Sequence, residues 1–244
     1  MEMLLIFLTG IAATTLGTLA GGGGLISLPV MLLLGLPVHS AIGANKVSNT
    51  VSSFSSFFYL LRHKNINLKE SLWIIPFSLA GGVTGGLIAS ALPAENLTIV
   101  AVILLIFALA TSFLNKSSFE HNQSLKKSGF GAAGLYGIGV YDGLFGPGQG
   151  TLMLYLFSWL KVSYIKAVGL VRLATFSSCF GAAVTYIASG HIIWLLTLAL
   201  LVGSFLGAQM GVRLAQKMKP SQVKPLLRIV TVVLLIQLII EQLQ

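Results

Sequence analysis

Long apolar runs separated by short polar breaks dominate the sequence. Ten such runs can be marked, at residues 3–20, 25–35, 40–61, 71–92, 97–114, 129–146, 151–160, 167–188, 192–212 and 225–243. Most of them approach the roughly 20 residues that a helix needs to cross a lipid bilayer. The second run of each half, at 25–35 and 151–160, is too short for a full crossing. The pattern predicts an all-α polytopic membrane protein with two short half-helices.

Glycine-rich breaks precede both short runs. Glycine and proline are the poorest helix formers, so a continuous helix does not easily pass through these breaks. Irregular backbone at membrane depth is tolerated only against protein or a water-filled cavity, and the start of the following half-helix favours anions. A simple reversal of the chain is the alternative interpretation. The candidates for lining a substrate site are Gly22, Gly23, Gly24, Gly148, Gln149 and Gly150.

The two halves of the chain are related by an internal repeat. Adding 126 to a position in the first half often gives the same or a similar residue in the second half. The matches continue without a gap from Gly17 to Gly85, and one of them pairs Lys46 with Arg172. A single offset that holds over this length indicates a duplication.

The loop charges predict how the two repeats are oriented. Lys and Arg favour cytoplasmic loops. The loop with Arg62, Lys64 and Lys69 corresponds to the segment around His191, which has no Lys or Arg. An odd number of crossings in each repeat explains this difference, because it inverts the second repeat. We therefore predict inverted repeats of about five helical segments each, at residues 1–115 and 129–244, with a cytoplasmic linker at 116–128.

Both chain termini are expected on the non-cytoplasmic side in this topology, and the chain is expected to be a multi-pass membrane protein. The segments 3–35 and 129–160 form either re-entrant hairpins or a full span followed by a half-span, and the sequence leaves this open. The low charge supports a membrane location, because 9% of the residues are charged, against about 25% in soluble domains.

Several functional classes are disfavoured by the sequence. The net charge of +9 would suit nucleic acid, but the basic residues occupy short gaps between apolar runs, so the lipid bilayer is the expected partner and nucleic acid is not. The one cysteine, Cys179, forms neither an internal disulfide nor a metal cluster. No catalytic or nucleotide-binding motif occurs. We expect no enzyme activity, no cofactor and no metal site.

The glycine motifs resemble those of a known family. The stretch Ala20–Pro29 and the following Ala41–Lys46 resemble the sulfite exporter TauE/SafE family. Asp142–Gly150 resembles the second glycine motif of that family, and the similarity covers essentially the whole chain. The resemblance implies a bacterial inner-membrane permease for small sulfur-containing or organic anions such as sulfite, thiosulfate or sulfonates.

Two cations and several amide and hydroxyl side chains lie within the apolar runs. Ionisable groups in such positions are costly and usually functional. We expect the repeat to bring the cations together around a small anionic substrate. The alternatives are hydrogen bonding between helices for the neutral groups and snorkelling to the interface for the cations. The candidates for substrate binding are Asn45, Lys46, Asn49, Ser52, Arg172 and Thr175.

Asp142 places an acid within an apolar run, at a position where the first repeat has Leu16. It is interpreted as a counter-ion to Arg172 or Lys46, as a protonatable coupling site, or as a cap at the helix break. The favoured function is a secondary anion permease with alternating access between the repeats. A passive anion channel and a membrane subunit without transport activity are the alternatives. Proton coupling, homo-oligomer formation, the identity of the anion and the direction of transport stay open.

Overall fold

The described part of the chain is entirely helical. The computed structural model describes residues 2–20, 24–64, 66–112 and 127–215, together with the single residues Leu125, Lys217, Ile229, Val232 and Ile236. Within them no strand occurs, so the all-α prediction is confirmed. The helices are α1 (Glu2–Ala20), α2 (Gly24–Leu33), α3 (Val38–Arg62), α4 (Leu68–Ser71), α5 (Ile74–Ala91), α6 (Ala94–Ser112), α7 (Gly129–Leu144), α8 (Gln149–Trp159), α9 (Tyr164–Ala188) and α10 (Trp194–Ala215).

Nine of the ten predicted apolar runs coincide with these helices to within a few residues. The run at 71–92 is interrupted at its start, where the short α4 precedes α5. Pro76 lies in the first turn of α5, where its missing N–H needs no partner, and its ring would clash with the carbonyl of Leu72 in a continuous helix. The tenth run, at 225–243, lies outside the described residues except for three isolated positions.

The helices fit a multi-pass membrane protein. Five of them, α1, α5, α6, α9 and α10, are long and apolar enough to cross a bilayer. Helix α9 is the most enclosed of the five, with 17 of its 25 residues buried, whereas only 28% of Ala94–Thr111 in α6 is buried. Helix α3 is as long as α9 but carries a polar face. The centre of the molecule is therefore formed by α3 and α9, and α6 lies at the lipid-facing periphery.

The 126-residue offset seen in the sequence recurs in the backbone. Helices α3 and α9 both have 25 residues, and they begin and end 126 residues apart. The turns that follow equivalent helices also match. Gly35 and Lys161 have φ values of 76° and 60°, and Lys64 and Gly190 have φ values of 56° and 73°. Lysine thus adopts a left-handed conformation, uncommon for residues other than glycine, at the two positions where the other repeat has glycine.

Helices α3 and α9 run antiparallel, as contacts at both of their ends demonstrate. His39, near the start of α3, stacks on His191, just after α9, with ring centroids 4.4 Å apart. Glu70, which follows α3, forms an ion pair with Lys166 at the start of α9, with an N–O distance of 2.9 Å. Inverted repeats require that equivalent helices run antiparallel, as α3 and α9 do. The inversion of the complete halves and their orientation in the membrane remain predictions.

Each repeat also packs against the other through glycines. A Cβ atom on Gly81 of α5 would lie 2.9 Å from Cα of Gly139 in α7. At the equivalent place in the other repeat, a Cβ atom on Gly207 of α10 would lie 3.0 Å from Cα of Ile11 in α1. Small residues allow such close helix approach in membranes. The two repeats are thereby interlocked, since α5 packs on α7 and α10 packs on α1.

Candidate functional site

A small polar cavity of about 40 Å³ lies where the starts of α2 and α8 meet α1, α3, α7 and α9. Both short helices begin at this cavity, so the positive ends of two helix dipoles border it. The wall combines backbone of the breaks with side chains of the long helices. The lining residues are Thr14, Gly17, Gly24, Asn45, Asn49, Asp142, Gly146, Gln149, Gly150, Arg172 and Thr175.

The second break owes its shape to two glycines in left-handed conformations. Gly146 has φ +102° and Gly148, the N-cap of α8, has φ +78°. Glycine adopts such values without the steric cost that other residues incur. A Cβ atom on Gly146 would also collide with Nζ of Lys46 and lie 2.6 Å from Oδ1 of Asp142. Gly146 therefore leaves room for these two side chains.

The start of α2 contacts the second break. A Cβ atom on Gly24, the first residue of α2, would lie 3.2 Å from Cα of Pro147 in the second break. From the opposite side, α8 presents Gln149 and Gly150 to the cavity. The irregular backbone of the second break is thus covered by protein on one side and borders a polar cavity on the other, as it must in a membrane.

Arg172 is a buried cation without a carboxylate partner among the described residues. Its side chain, on α9, is only 7% exposed and reaches the cavity. One terminal nitrogen donates a hydrogen bond of 2.9 Å to the backbone carbonyl of Gly17. The Nε atom is buried without a hydrogen-bond partner. A buried charge that is incompletely paired is costly, so the cavity offers an attractive place for an anion.

Gln149 supplies a second unsatisfied donor to the same cavity. Its side-chain oxygen accepts a hydrogen bond of 3.2 Å from the hydroxyl of Thr175. This bond assigns the amide nitrogen Nε2 to the other side, where it is buried without a partner. Arg172 and Gln149 therefore each have a buried N–H donor that lacks an acceptor. Donors without acceptors match a ligand that only accepts, which is the property of a small anion.

Lys46 forms an ion pair with Asp142 instead of facing the cavity. Its side chain is fully buried, and Nζ donates to Oδ1 of Asp142 at 2.9 Å. The other oxygen of Asp142, Oδ2, accepts from the hydroxyl of Ser178 and lies 3.4 Å from the thiol sulfur of Cys179. Of the partners considered for Asp142, the structure thus pairs it with Lys46. Lys46 is not among the lining residues, and its role in substrate binding stays a prediction.

The asparagines of α3 form a short hydrogen-bonded chain along the cavity wall. Asn49 donates from Nδ2 to Oδ1 of Asn45 at 2.8 Å, and Asn45 donates to the hydroxyl of Ser27 on α2 at 2.7 Å. These bonds fix both amides and connect α3 to the first short helix. The alternative role considered for these residues, hydrogen bonding between helices, is therefore present together with their position on the cavity.

The predicted site residues divide into three groups. Three of them are near lining residues in the sequence but do not line the cavity, namely Lys46, Ser52 and Gly148. Two lie outside the described residues, namely Gly22 and Gly23. The others all line the cavity, namely Gly24, Asn45, Asn49, Asp142, Gln149, Gly150, Arg172 and Thr175.

Three lining residues escaped the sequence prediction: Thr14, Gly17 and Gly146. Gly146 belongs to the second break, so its neighbours could have indicated it. Gly17 is the repeat mate of Gly143, beside the buried acid, and that match was a usable signal. Thr14 gave no signal, because one threonine in an apolar helix is common. Within the described part of the chain, no three His, Cys, Asp or Glu side chains are grouped to hold a metal ion.

These features define a class of protein. A polytopic helical membrane protein with short helices that begin at a polar cavity inside the helix bundle has features typical of membrane transporters.

Comparison with known proteins places the chain within this class. The profile described as "Sulfite exporter TauE/SafE" matches residues 6–238. The chain therefore belongs to the TauE/SafE family, and the resemblance noted in the sequence is confirmed. No solved structure matches it.

The chain is similar over nearly its whole length to proteins that are named as transporters. The chain is 33% identical to "Probable membrane transporter protein ORF9" of Sinorhizobium sp, covering 97% of this chain and 92% of the relative. It is 28% identical to a "Probable membrane transporter protein" of Haemophilus influenzae, covering 98% and 94%. It is also 28% identical to "Probable membrane transporter protein YfcA" of Escherichia coli strain K12, covering 97% and 89%. The family and these relatives make the chain a membrane transporter.

Proposed function

We propose that the protein is a secondary permease for small anions and that the anion binds in the cavity beside Arg172 and Gln149. The observation that carries this proposal is that Arg172 and Gln149 both line the cavity and that each has a buried N–H donor without a partner, Nε of Arg172 and Nε2 of Gln149. A cargo with acceptor oxygens would complete both hydrogen bonds. A neutral or cationic cargo would leave the guanidinium charge uncompensated.

The charges around the cavity favour a negative cargo. Arg172 and Lys46 contribute two positive charges and Asp142 contributes one negative charge, which leaves the site at +1. The first turns of α2 and α8 add partial positive charge from their backbone N–H groups. An anion gains from all of these groups, and charge-assisted hydrogen bonds to it are the strong ones.

The volume of the cavity limits the size of the anion that can bind. Its volume of about 40 Å³ compares with the roughly 10–15 Å³ that one buried water needs on the same scale. Room for a few waters suits an inorganic oxyanion such as sulfite or thiosulfate better than a sulfonate with an organic chain. The family description, sulfite exporter, supports sulfur oxyanions as the first class to test.

Transport is proposed to follow alternating access between inverted repeats. The antiparallel α3 and α9 and the interlocked glycine contacts support two units that rock against each other around the cavity. We further propose that the protein resides in the inner membrane with both termini on the non-cytoplasmic side. The loop charges support this orientation.

Purified protein in liposomes tests the proposal. We expect saturable uptake of radiolabelled thiosulfate and sulfite, inhibition of each by the other, and uphill accumulation of one when the other is preloaded for exchange. Flux that does not saturate and never exceeds the equilibrium distribution would favour the passive channel. Absence of any anion flux or binding would contradict the proposed function.

Cysteine labelling tests the orientation. In a variant whose Cys179 has been replaced, a cysteine at Lys64 is expected to react only from the cytoplasm, and a cysteine at Glu95 only from outside. Labelling of both positions from the same side would contradict the proposed topology.

A further inference from the structure

We propose that Asp142 is a proton-binding site that couples proton movement to anion transport. This inference rests on the proposed function, because it assigns the coupling of the same cavity. The observation is that Asp142 lines the cavity together with Arg172, although an acid should repel an anionic cargo. A group that loses its negative charge as the anion enters removes this conflict.

The carboxylate has one oxygen for charge pairing and one that can accept a proton. Oδ1 is held by the ammonium of Lys46 at 2.9 Å. Oδ2 faces the hydroxyl of Ser178, with the thiol of Cys179 at 3.4 Å. The residue is only 3% exposed, so a proton reaches it through the cavity and not from bulk water directly.

Ser178 can satisfy Asp142 in both protonation states. A hydroxyl has one hydrogen and two acceptor lone pairs. When the carboxylate is ionised, Ser178 donates that hydrogen to Oδ2. When Oδ2 carries a proton, Ser178 accepts from it and turns its own hydrogen to the carbonyl of Ala174, which lies 3.0 Å from its oxygen. Proton uptake therefore leaves no buried polar group without a partner at this position.

The charge balance gives the stoichiometry. With Asp142 ionised the site holds +1 and neutralises a monoanion. With Asp142 protonated, the two cations give +2 and neutralise a dianion. A buried site tolerates little uncompensated charge, so entry of a dianion favours uptake by Oδ2 of one proton from the solution on the side from which the anion enters. The bond formed is O–H on Asp142, and the proton is released again when the anion leaves.

The charged and titratable groups around Asp142 come from three helices. Lys46 faces it from α3, and Cys179 and Arg172 face it or its cavity from α9. Helix α5 carries no titratable side chain, and α8 presents Gln149. On α7 itself, the phenol of Tyr141 donates to the carbonyl of Pro147. Among the residues that line the cavity, Asp142 is the one acid.

Proton counting during anion uptake tests the inference. Liposomes contain a pH-sensitive dye, and thiosulfate is added outside as a dianion that carries no proton near neutral pH. We expect acidification of the interior in step with uptake of labelled thiosulfate, at about one proton per anion.

The variants are chosen to keep the site folded. Asp142→Asn alone leaves Lys46 unpaired and can fail to fold, so the decisive variant combines Asp142→Asn with Lys46→Gln. Arg172 then gives +1, as in the ionised wild type. We expect slower but measurable exchange of labelled anion in this variant, with the proton-to-anion ratio reduced to background. Glu70→Gln, which neutralises an acid outside the cavity, is the matched control and should keep the wild-type ratio.

The outcomes separate the two levels of the proposal. Thiosulfate uptake by the wild type without proton movement would overturn the coupling role and leave the anion permease standing. A double variant that still moves protons at the wild-type ratio would overturn the assignment to Asp142. Absence of any binding or exchange of thiosulfate and sulfite in the wild type would overturn the proposed function, and the coupling with it.

Discussion

Lys46 and Arg172 occupy equivalent positions in the two repeats but have different environments. Lys46 is fully buried and paired with Asp142 of the other repeat at 2.9 Å. Arg172 reaches the other repeat at the equivalent place, yet Leu16 stands where Asp142 would be. Among the described residues it donates to the backbone carbonyl of Gly17, and its Nε is buried without a partner.

This difference suggests how a duplicated protein can assign different roles, joining the repeats and binding a ligand, to two equivalent positions. Duplication supplied two cations, and one acidic residue in a single repeat neutralised one of them. The paired cation joins the repeats, while the unpaired cation is available to a ligand. The roles of Lys46 and Arg172 can therefore be tested separately, as stability for the first and anion affinity for the second.

The largest expected effect follows from removing the acid. Asp142→Leu makes the second repeat resemble the first and leaves the buried Lys46 without a partner. Breaking a buried ion pair costs about 3–5 kcal/mol. We expect a large fall in the thermal stability of the purified protein in detergent.

A compensated variant provides the control for this prediction. Asp142→Leu combined with Lys46→Met removes both charges, and such replacements are often neutral or stabilising. Most of the lost stability should return. If the single variant is as stable as the wild type, the ion pair does not hold the repeats together.

A smaller effect is expected from a β-carbon beside the same pair. Gly146→Ala combines a strained backbone with a collision against Lys46 and Asp142. Residues forced into such conformations cost about 1–3 kcal/mol. Gly137→Ala on α7 is the matched control, since a Cβ atom there meets no other atom within 4 Å. Equal melting temperatures for the two variants would show that the second break tolerates a side chain.

The smallest effect concerns the second ion pair, between Glu70 and Lys166. The hydrogen bond from Lys166 is the main cause that lowers the pKa of Glu70 below its ordinary value of about 4.5. Stability from this pair is therefore present above the ordinary pKa and is lost as the pH falls through the lowered value. The side chains are 31% and 15% exposed, so screening keeps the contribution to at most about 1 kcal/mol.

Melting curves against pH measure this contribution. Glu70→Gln should be slightly less stable than the wild type near neutral pH, and the difference should disappear in acid and in high salt. A difference that grows in acid would contradict the assigned direction of the pKa shift.

The sequence predicted the helices well because the bilayer imposes a simple rule. Spans must be apolar and about 20 residues long, so their positions follow from composition alone. The repeat offset also carried into the structure, including the left-handed turns at Lys64 and Lys161, which the matching glycines Gly190 and Gly35 could have indicated. The hydrogen-bond and ion-pair partners of buried side chains on different helices follow no such rule.

Two features of the site were therefore beyond the sequence. Asp142 had two cations as potential partners, and only the packing of α3 and α7 against α9 brings Lys46 to it. The partner of Arg172 is the carbonyl of Gly17, and a backbone acceptor carries no signature in the side-chain pattern. Short-range features such as the polar face of α3 and the start of α8 were predictable, because spacing along one helix determines them.

The central claim is that Arg172 binds the anion, and direct binding to purified protein tests it most closely. Calorimetry with thiosulfate, and with sulfite under anaerobic conditions, compares the wild type with Arg172→Gln. Loss of a charge-assisted contact worth about 1.5–3 kcal/mol should raise Kd roughly ten- to a hundredfold. Lys166→Gln removes a cation from the same helix outside the cavity and should change Kd by less than about twofold. A folded Arg172→Gln protein with the wild-type Kd would contradict the account.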